Sequence, residues 1–163
     1  MVYLLKGVPF IYQGQEIGMP AAHYDSIDDF NDVESLGFYR KYRETLSEEE
    51  TLVKINFGSR DNPRHPMAWN DSRNNGFTSE DGEPWLIPHS RAGEVNVKND
   101  LESERSVYRF YQELLRLRSE NTAFQEGDFE VLSSQDDDFF VFTRSAGGEK
   151  WIVICNFENE QII

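Results

Sequence analysis

The strongest constraint on the fold is a change in hydrophobic periodicity near Phe124. From Ser103 to Phe124 the apolar residues recur at helical spacing, which predicts a helix capped by Ser103. After Gly127 the period becomes two, which predicts strands at "FEVL", "FFVFT" and "KWIVICNF", the last two joined by a hairpin turn at "SAGGE". The sequence therefore predicts α-helical material followed by an antiparallel sheet. The apolar stripe of the helix consists of Val107, Phe110, Tyr111, Leu114 and Leu117.

The first residues predict a different kind of unit. Met1 to Lys6 read as the tail of a helix that ends at Gly7, and "VPFIY" reads as a short buried strand of a parallel sheet. A helix tail followed at once by a buried strand indicates an α/β unit that lacks its beginning. The β-rich segment also ends with too few strands to close a sandwich, so we expect both ends to be cut.

The middle of the chain divides into an acidic part and a long aperiodic part. Residues 21–50 predict a helix around Ile27 to Phe38 and a second helix that opens with a Ser47 to Glu50 capping box. The acidic residues of the first helix read as a solvated face: Asp25, Asp28, Asp29, Asp32 and Glu34. Residues 58–100 are rich in Pro, Gly and Asn, and their aromatic residues, Trp69, Phe77 and Trp85, indicate an ordered loop.

Composition excludes several functional classes. With 16 Lys and Arg against 30 Asp and Glu, the formal net charge is −14, which argues against binding to a phosphate backbone. Cys155 is the single cysteine and reads as a small core residue, which fits a reducing compartment. No apolar stretch approaches the roughly 20 residues that cross a bilayer. We expect a soluble cytoplasmic protein with neither a nucleic-acid nor a membrane partner.

Complete catalytic or metal-binding motifs are absent from the sequence. It contains no H-E-x-x-H, P-loop, G-x-G-x-x-G or G-x-S-x-G motif, and its three histidines lack the spacing of a local metal site. We therefore expect no metal and no cofactor.

One short stretch, "YQGQEIGM", follows the predicted strand at the position where parallel α/β folds carry their active sites. Gln13 and Glu16 could bind a polyhydroxylated ligand or brace neighbouring side chains. The residues alone leave both interpretations open.

A second stretch, "SRDNPRHPMAW", combines forked cationic donors with a rigid backbone. Arg60 and Arg64 can each hold a carboxylate through two parallel hydrogen bonds, and the prolines between and after them restrict the loop. Trp69 could stack on a sugar or anchor the loop. A ligand site and a set of surface salt bridges both fit this pattern.

Several segments together resemble a known family. "GVPFIYQGQEIGM", "SRDNPRHPMAW", "NNGF", "PWL", "EVNVKND" and "SVYRFYQELLRLR" occur in the order and spacing of the α-amylase-type glycoside hydrolases. More narrowly, the chain resembles the C-terminal part of the oligo-1,6-glucosidase and glucan 1,6-α-glucosidase group. Pro63, His65 and Ala68 stand where that group more often has a small residue, Thr and Gln.

The resemblance implies a fold and its boundaries. The expected class is α/β: the C-terminal fragment of a (β/α)8 barrel followed by part of an antiparallel β-sandwich domain. In this view "VPFIY" is the eighth strand, a long loop region follows, and "SVYRFYQELLRLR" is the last helix. Residues 1–123 would end the catalytic barrel and residues 124–163 would begin the β domain.

The resemblance also implies an activity that this chain would not complete. Enzymes of the group are retaining glycosidases with two carboxylates about 5 Å apart, and the family's catalytic residues lie upstream of the matching segment. An arginine of the "RDNxR" motif sits beside the terminal glucose, a role we assign to Arg60 and less readily to Arg64. Asp32 and Glu34 could reach the next sugar.

The expected function is hydrolysis of terminal α-1,6-linked glucose from isomalto-oligosaccharides by the complete protein, with the isolated chain inactive. Trehalose-6-phosphate hydrolase or sucrose isomerase activity is an alternative within the same family, and a catalytically silent structural module is an alternative of another class. An exposed strand edge of an incomplete barrel could pair two copies into a homo-oligomer.

Overall fold

The computed structural model describes residues 1–132 and 138–157. The chain forms two compact units, one from Met1–Ile11 and Arg109–Ile163 and the other from Tyr12–Tyr108. Among the described residues, no helix combines the length and the apolar character that a bilayer crossing requires.

The unit of residues 12–108 is built around a helical hairpin. Helix α1 spans Val33–Tyr42 and helix α2 spans Glu48–Gly58. The predicted capping box of α2 is confirmed, because Ser47 Oγ accepts from the Glu50 amide and Glu50 Oε2 accepts from the Ser47 amide. The core beneath the two helices consists of Ala22, Tyr24, Phe30 and Ile55, with Ile27, Leu36, Phe38, Tyr39 and Leu52 packed against it.

The helix predicted around Ile27 to Phe38 is two elements. A single 3-10 turn, Ile27–Asp29, is capped by Ser26, and α1 begins only after Asp32. Between them, Phe30 is extended, and the backbone amides of Asn31 and Asp32 donate to the carboxylate of Asp61. Because these two amides donate to a residue distant in sequence, they do not form the i to i−4 hydrogen bonds of a continuous helix.

Backbone hydrogen bonds connect distant parts of residues 59–96. The amide of Trp69 donates to the Asn75 carbonyl, and the amides of Val97 and Lys98 donate to the carbonyls of Ala68 and Trp69. Asn96 is fully buried and caps helix α3, Val97–Glu102. The aromatic side chains at positions 69, 77 and 85 are each half or more exposed, so burial of these rings does not order the loop.

Helix α4 spans Val107–Glu120 and does not begin at the predicted cap Ser103. Ser103 instead ends α3, and the carboxylate of Asp100 accepts from the amides of Val107 and Tyr108 at 2.8 and 3.1 Å. A short helix α5, Thr122–Gln125, follows. Of the predicted apolar stripe, Leu114 and Leu117 pack against the buried cluster Leu4, Phe124 and Phe142 of their own unit, whereas Phe110 is exposed.

The predicted strands are confirmed as an antiparallel sheet of three described strands, ordered β1, β2, β3: Asp128–Val131, Phe139–Ala146 and Glu149–Asn156. The hairpin between β2 and β3 turns at Gly147 and Gly148, whose φ angles of 60° and 88° suit a type I′ turn. Phe142 and Phe124 form the core with Leu4, and Cys155, predicted as a core residue, is partly buried and packs against this cluster.

The strand predicted at "VPFIY" does not form in this structure. Residues 8–12 form no strand, and the side chains of Val8 and Phe10 are 79% and 84% exposed. A parallel strand is held by hydrogen bonds to its neighbours, and no described strand pairs with these residues. The preceding helix tail is reduced to one 3-10 turn, Val2–Leu4.

Two arginines fasten the first residues to their unit. Arg118 donates to the carbonyls of Tyr3, Leu5 and Gly7. Arg144, fully buried, donates to the carbonyls of Leu4 and Gly127 at 3.0 and 3.1 Å. Burial, and secondarily the nearby positive charge of Arg118, lowers the pKa of Arg144 from its ordinary value.

Candidate functional site

The segment 59–69 leaves the end of α2 and folds back onto the start of α1. Arg60 makes the main contact, since its Nε and Nη2 lie 2.8 and 2.7 Å from Oδ1 of Asp32. Asp32 is the N-cap of α1, so its other oxygen, Oδ2, accepts from the Ser35 amide at 3.1 Å. The loop that carries Arg60 is thereby tied to the helix by a charged pair.

Asp32 lies inside the fold, which corrects the prediction of a solvated acidic face. It is 5% exposed, while its neighbour Glu34 remains exposed. Burial alone would raise the pKa of Asp32, but hydrogen bonds from the Ser35 hydroxyl and amide and from Arg60 outweigh it and hold the pKa below its usual value. The carboxylate therefore stays ionised and keeps its attraction for the guanidinium.

The guanidinium of Arg60 keeps an open side. Its side chain is 53% exposed, and its second acidic neighbour, Glu34, lies 3.6 Å away. Within residues 1–132 and 138–157, Nη1 of Arg60 has no hydrogen-bond partner. An arginine carries five N–H donors, so this side chain is fixed at one edge and offers donors at the other.

Arg64 is placed differently from Arg60. It is exposed, and its side chain makes no hydrogen bond or ion pair with any part of the chain that the structure describes. Only its backbone amide is engaged, with the carbonyl of Asp61 at 2.9 Å.

The two sequence motifs meet at a small cavity of ≈ 260 Å³. Gln13 lines it from "YQGQEIGM", and Asn62, Pro63 and His65 line it from "SRDNPRHPMAW". Gln13, which the sequence singled out, therefore faces the arginine-bearing loop, although Arg60 and Arg64 themselves are not in the wall of this cavity.

Glu16 lies in a tight turn rather than on an open surface. The 3-10 helix Gln15–Ile17 is flanked by Gly14 and Gly18, both in left-handed conformation. Oε2 of Glu16 is buried, and no described group forms a hydrogen bond with it. A buried carboxylate oxygen without a donor is costly, which makes Glu16 a candidate contact for a donor outside the described residues.

A pair of buried histidines escaped the sequence analysis. The rings of His65 and His89 are 1% and 3% exposed and meet edge to face with centroids 5.1 Å apart. His65 Nε2 lies 3.0 Å from the Pro20 carbonyl oxygen, which joins the loop to the other motif. Burial, followed by the charge of His65, lowers the pKa of His89. Their separation of 24 residues gave no local signal.

Metal binding finds no support in the residues that are described. Across residues 1–132 and 138–157, no three His, Cys, Asp or Glu side chains gather closely enough to hold an ion.

Comparison with known proteins identifies the family. Residues 1–127 match the model of the α-amylase catalytic domain. The chain belongs to the α-amylase family. Its relatives include oligo-1,6-glucosidases and a glucan 1,6-α-glucosidase.

Relatives in this family match nearly the whole chain but extend far beyond it. The oligo-1,6-glucosidase of Halalkalibacterium halodurans is 38% identical over 96% of this chain and 28% of its own length. The trehalose-6-phosphate hydrolase of Bacillus subtilis (strain 168) is 33% identical over 96% of this chain and 28% of its own length.

A solved structure supports the same assignment. The trehalulose synthase of Pseudomonas mesoacidophila MX-45 superposes with a TM-score of 0.90 at 37% identity, over 98% of this chain and 29% of that one. The chain thus spans less than a third of the length of the relatives and structures that it matches.

Proposed function

We propose that this chain is the C-terminal portion of a retaining α-glucosidase that removes terminal α-1,6-linked glucose from oligosaccharides. The observation that carries the proposal is the match of residues 1–127 to the α-amylase catalytic domain, together with a 38% identical oligo-1,6-glucosidase. The complete protein would act on isomalto-oligosaccharides.

The proposal divides the chain into residues 1–123, which end the catalytic (β/α)8 barrel, and residues 124–163, which begin the β domain. Two observations support the division: the family match ends at residue 127, and the antiparallel sheet begins at Asp128. The exposed "VPFIY" segment is the eighth barrel strand in this proposal. Its apolar side chains would be covered by parallel strands that flank it in the complete barrel, or by a second copy of this chain.

The proposed sugar contact is Arg60. Its guanidinium is held by Asp32 at one edge and is 53% exposed, which suits donation to the hydroxyl oxygens of a neutral sugar. Gln13 offers an amide at the neighbouring cavity, and Glu16 and Arg64 are further contacts in this proposal. The two catalytic carboxylates, about 5 Å apart in a retaining enzyme, would come from outside the chain.

Two alternatives are favoured by specific relatives. The 33% identical trehalose-6-phosphate hydrolase favours a phosphorylated disaccharide, which would need a cationic pocket for the phosphate. The structural match to a trehalulose synthase in complex with its substrate sucrose favours isomerisation of sucrose. A third possibility is that the 163-residue chain only supports or contacts carbohydrate and catalyses nothing.

Substrate choice by the complete protein decides among these functions. We expect kcat/KM for isomaltose to exceed that for trehalose-6-phosphate and for sucrose. Preference for trehalose-6-phosphate, or conversion of sucrose to an isomer, would replace the leading proposal with the corresponding alternative. The purified 163-residue chain should release no chromophore from an aryl α-glucoside above the level of an Arg60→Ala preparation.

A cytoplasmic location is part of the same proposal, and it is supported by the single cysteine, which permits no internal disulfide. Fractionation of the source cell with an antibody against the chain would test it, and recovery in the medium would reject it.

A further inference from the structure

We propose that Asp61 and Asp32 are positioning residues that set the direction of the Arg60 guanidinium. The assignment deepens the proposed function and rests on its sugar contact at Arg60. Neither acid would touch the substrate. Both would act by removing conformational freedom from the side chain that does.

Asp61 fixes the backbone to which Asp32 belongs. Its side chain is fully buried, and its Oδ2 accepts from the amides of Asn31 and Asp32 at 2.7 and 2.6 Å. Two short hydrogen bonds to one carboxylate oxygen are strong inside a protein. They hold the chain at residues 31–32 in the bend that separates the 3-10 turn from α1.

Asp32 then divides its two oxygens between two tasks. Oδ2 takes the Ser35 amide at 3.1 Å and lies 3.0 Å from Ser35 Oγ, so the carboxylate cannot rotate without losing the helix cap. Oδ1 is left for Arg60, which reaches it through both Nε and Nη2. The helix cap fixes the orientation of the carboxylate, and the carboxylate in turn fixes the orientation of the guanidinium.

The two residues that contact Asp32, Arg60 and Asp61, are adjacent in one loop. Arg60 contacts the side chain of Asp32, and Asp61 contacts its backbone. The loop therefore binds the start of α1 through both the side chain and the backbone of one residue. Ser59 adds a further link between the loop and α1, because its Oγ accepts from the Asp61 amide at 3.2 Å and lies 2.8 Å from Ser35 Oγ. A shift of this loop therefore requires several buried hydrogen bonds to break together.

The expected benefit is pre-organisation. A free arginine samples many rotamers, and ordering them opposes binding. Here Nε and Nη2 are engaged before any ligand arrives, while the Nη1 edge stays open. A sugar hydroxyl that meets this edge would not have to order the side chain.

The rival interpretation is that the pair only joins the loop to α1. The two interpretations differ in whether the Arg60 side chain becomes more mobile when its ion pair with Asp32 is removed and the fold is kept. Asp32→Asn tests this difference, because Asn caps a helix as well as Asp does but carries no charge to attract the guanidinium.

The experiment follows the Arg60 Nε–Hε group of the ¹⁵N-labelled 163-residue chain by NMR, alongside the Ser35 amide as a monitor of the cap. We expect hydrogen exchange at Nε–Hε to rise about fivefold in Asp32→Asn, the size appropriate to a half-exposed ion pair, with Ser35 unchanged. Asp61→Ala should give a similar rise, and Asp61→Asn, which keeps an acceptor oxygen, should restore the wild-type rate. Asp61→Ser, too short to reach both amides, replaces Asp61→Ala if that variant does not fold.

The matched control is Asp71→Asn, an exposed carboxylate that pairs with Lys98, and it should leave Arg60 unchanged. Wild-type exchange at Arg60 in Asp32→Asn overturns the proposal. An equal rise in Nε–Hε exchange in Asp61→Asn and Asp61→Ala also overturns it.

Titration of the complete protein with isomaltose, followed at the same Nε–Hε group, tests the underlying function separately. If Arg60 contacts the sugar, the wild-type Nε–Hε resonance moves, and Asp32→Asn weakens the apparent affinity about fivefold. A wild-type resonance that does not respond to isomaltose rejects the sugar contact, while the exchange rates still decide whether Asp32 and Asp61 position the guanidinium.

Discussion

Arg60 grips Asp32 by a single oxygen: Nε and Nη2 both lie within 2.8 Å of Oδ1. The other oxygen of the same carboxylate caps α1. One buried acid thus serves a helix terminus and an arginine at once. This double use explains why the pair is formed although the arginine itself is half exposed, since the cap already holds the carboxylate in place.

The first prediction concerns Arg60→Ala in the complete protein. The variant should lose about 10- to 100-fold in kcat/KM for isomaltose, the value of a charge-assisted hydrogen bond to the ligand. The loss of unfolding free energy should be smaller, about 1 kcal/mol, because the pair is half exposed. Steady-state kinetics and urea denaturation measure the two effects. Arg73→Ala, an exposed arginine outside the motif, serves as the control, and unchanged kinetics in Arg60→Ala would reject a pocket role.

The second prediction concerns the start of α2. Ser47→Ala removes the hydroxyl that accepts from the Glu50 amide and should cost about 1 kcal/mol of unfolding free energy. The urea midpoint of the transition reports it. Ser90→Ala changes an exposed serine outside any helix terminus and should shift the midpoint by less than half as much. Equal shifts in the two variants would show that the capping box adds nothing to stability.

The third prediction concerns acid sensitivity at His89. An unfolded histidine titrates near pH 6.5, and the folded pKa of His89 is lower because the ring is buried beside His65, with Arg91 adding a further positive charge. Between the two pKa values the unfolded chain binds more protons, so stability is full above about pH 6.5 and falls as the pH drops toward the folded value.

Thermal midpoints measured from pH 7.5 to 5 test this effect in His89→Gln and in the exposed-site control His23→Gln. The decline should be shallower in His89→Gln than in wild type, and unchanged in His23→Gln. A wild-type slope in His89→Gln would assign the acid sensitivity to other groups.

The fourth prediction concerns Gly127, at the junction of α5 and β1. A Cβ at this position would collide with the backbone carbonyl oxygens of Ala123 and Ser145. Backbone atoms cannot move aside cheaply, so Gly127→Ala should destabilise its unit by about 2 kcal/mol or more.

Gly37 in α1 is the matched contrast, since a Cβ there meets nothing within 4 Å. Gly37→Ala should raise the unfolding free energy by about 0.5 to 1 kcal/mol through better helix propensity. Differential scanning calorimetry of both variants checks the opposite signs, and a stabilising Gly127→Ala would contradict the described junction.

Features that depend on neighbours in sequence were predictable. The capping box at Ser47 and Glu50 involves residues three apart, and the Gly147–Gly148 turn joins two strands with alternating apolar residues. Each pattern carries its own physical signal, because the groups that satisfy it lie within one turn.

Features that depend on distant residues were not predictable. "VPFIY" has the composition of a buried strand but becomes one only beside other strands, and none of those described pairs with it. Asp32 looks like one acid among several until Arg60 and Asp61, 28 and 29 residues away, bind it inside the fold. Arg60 itself was recognised from a family motif, and its sugar contact stays a prediction.

The hydrogen bonds that Arg118 and Arg144 donate to residues 3–7 imply an order of events during folding. Arg118 and Arg144 bind carbonyls 111 to 140 positions earlier in the chain. Contacts of such long range form late, since the intervening chain must close a large loop first. On a translating ribosome, residues 3–7 emerge long before their partners and must wait for helix α4 and the hairpin. The earliest part of this unit to be made is thus among the last to be fixed in place.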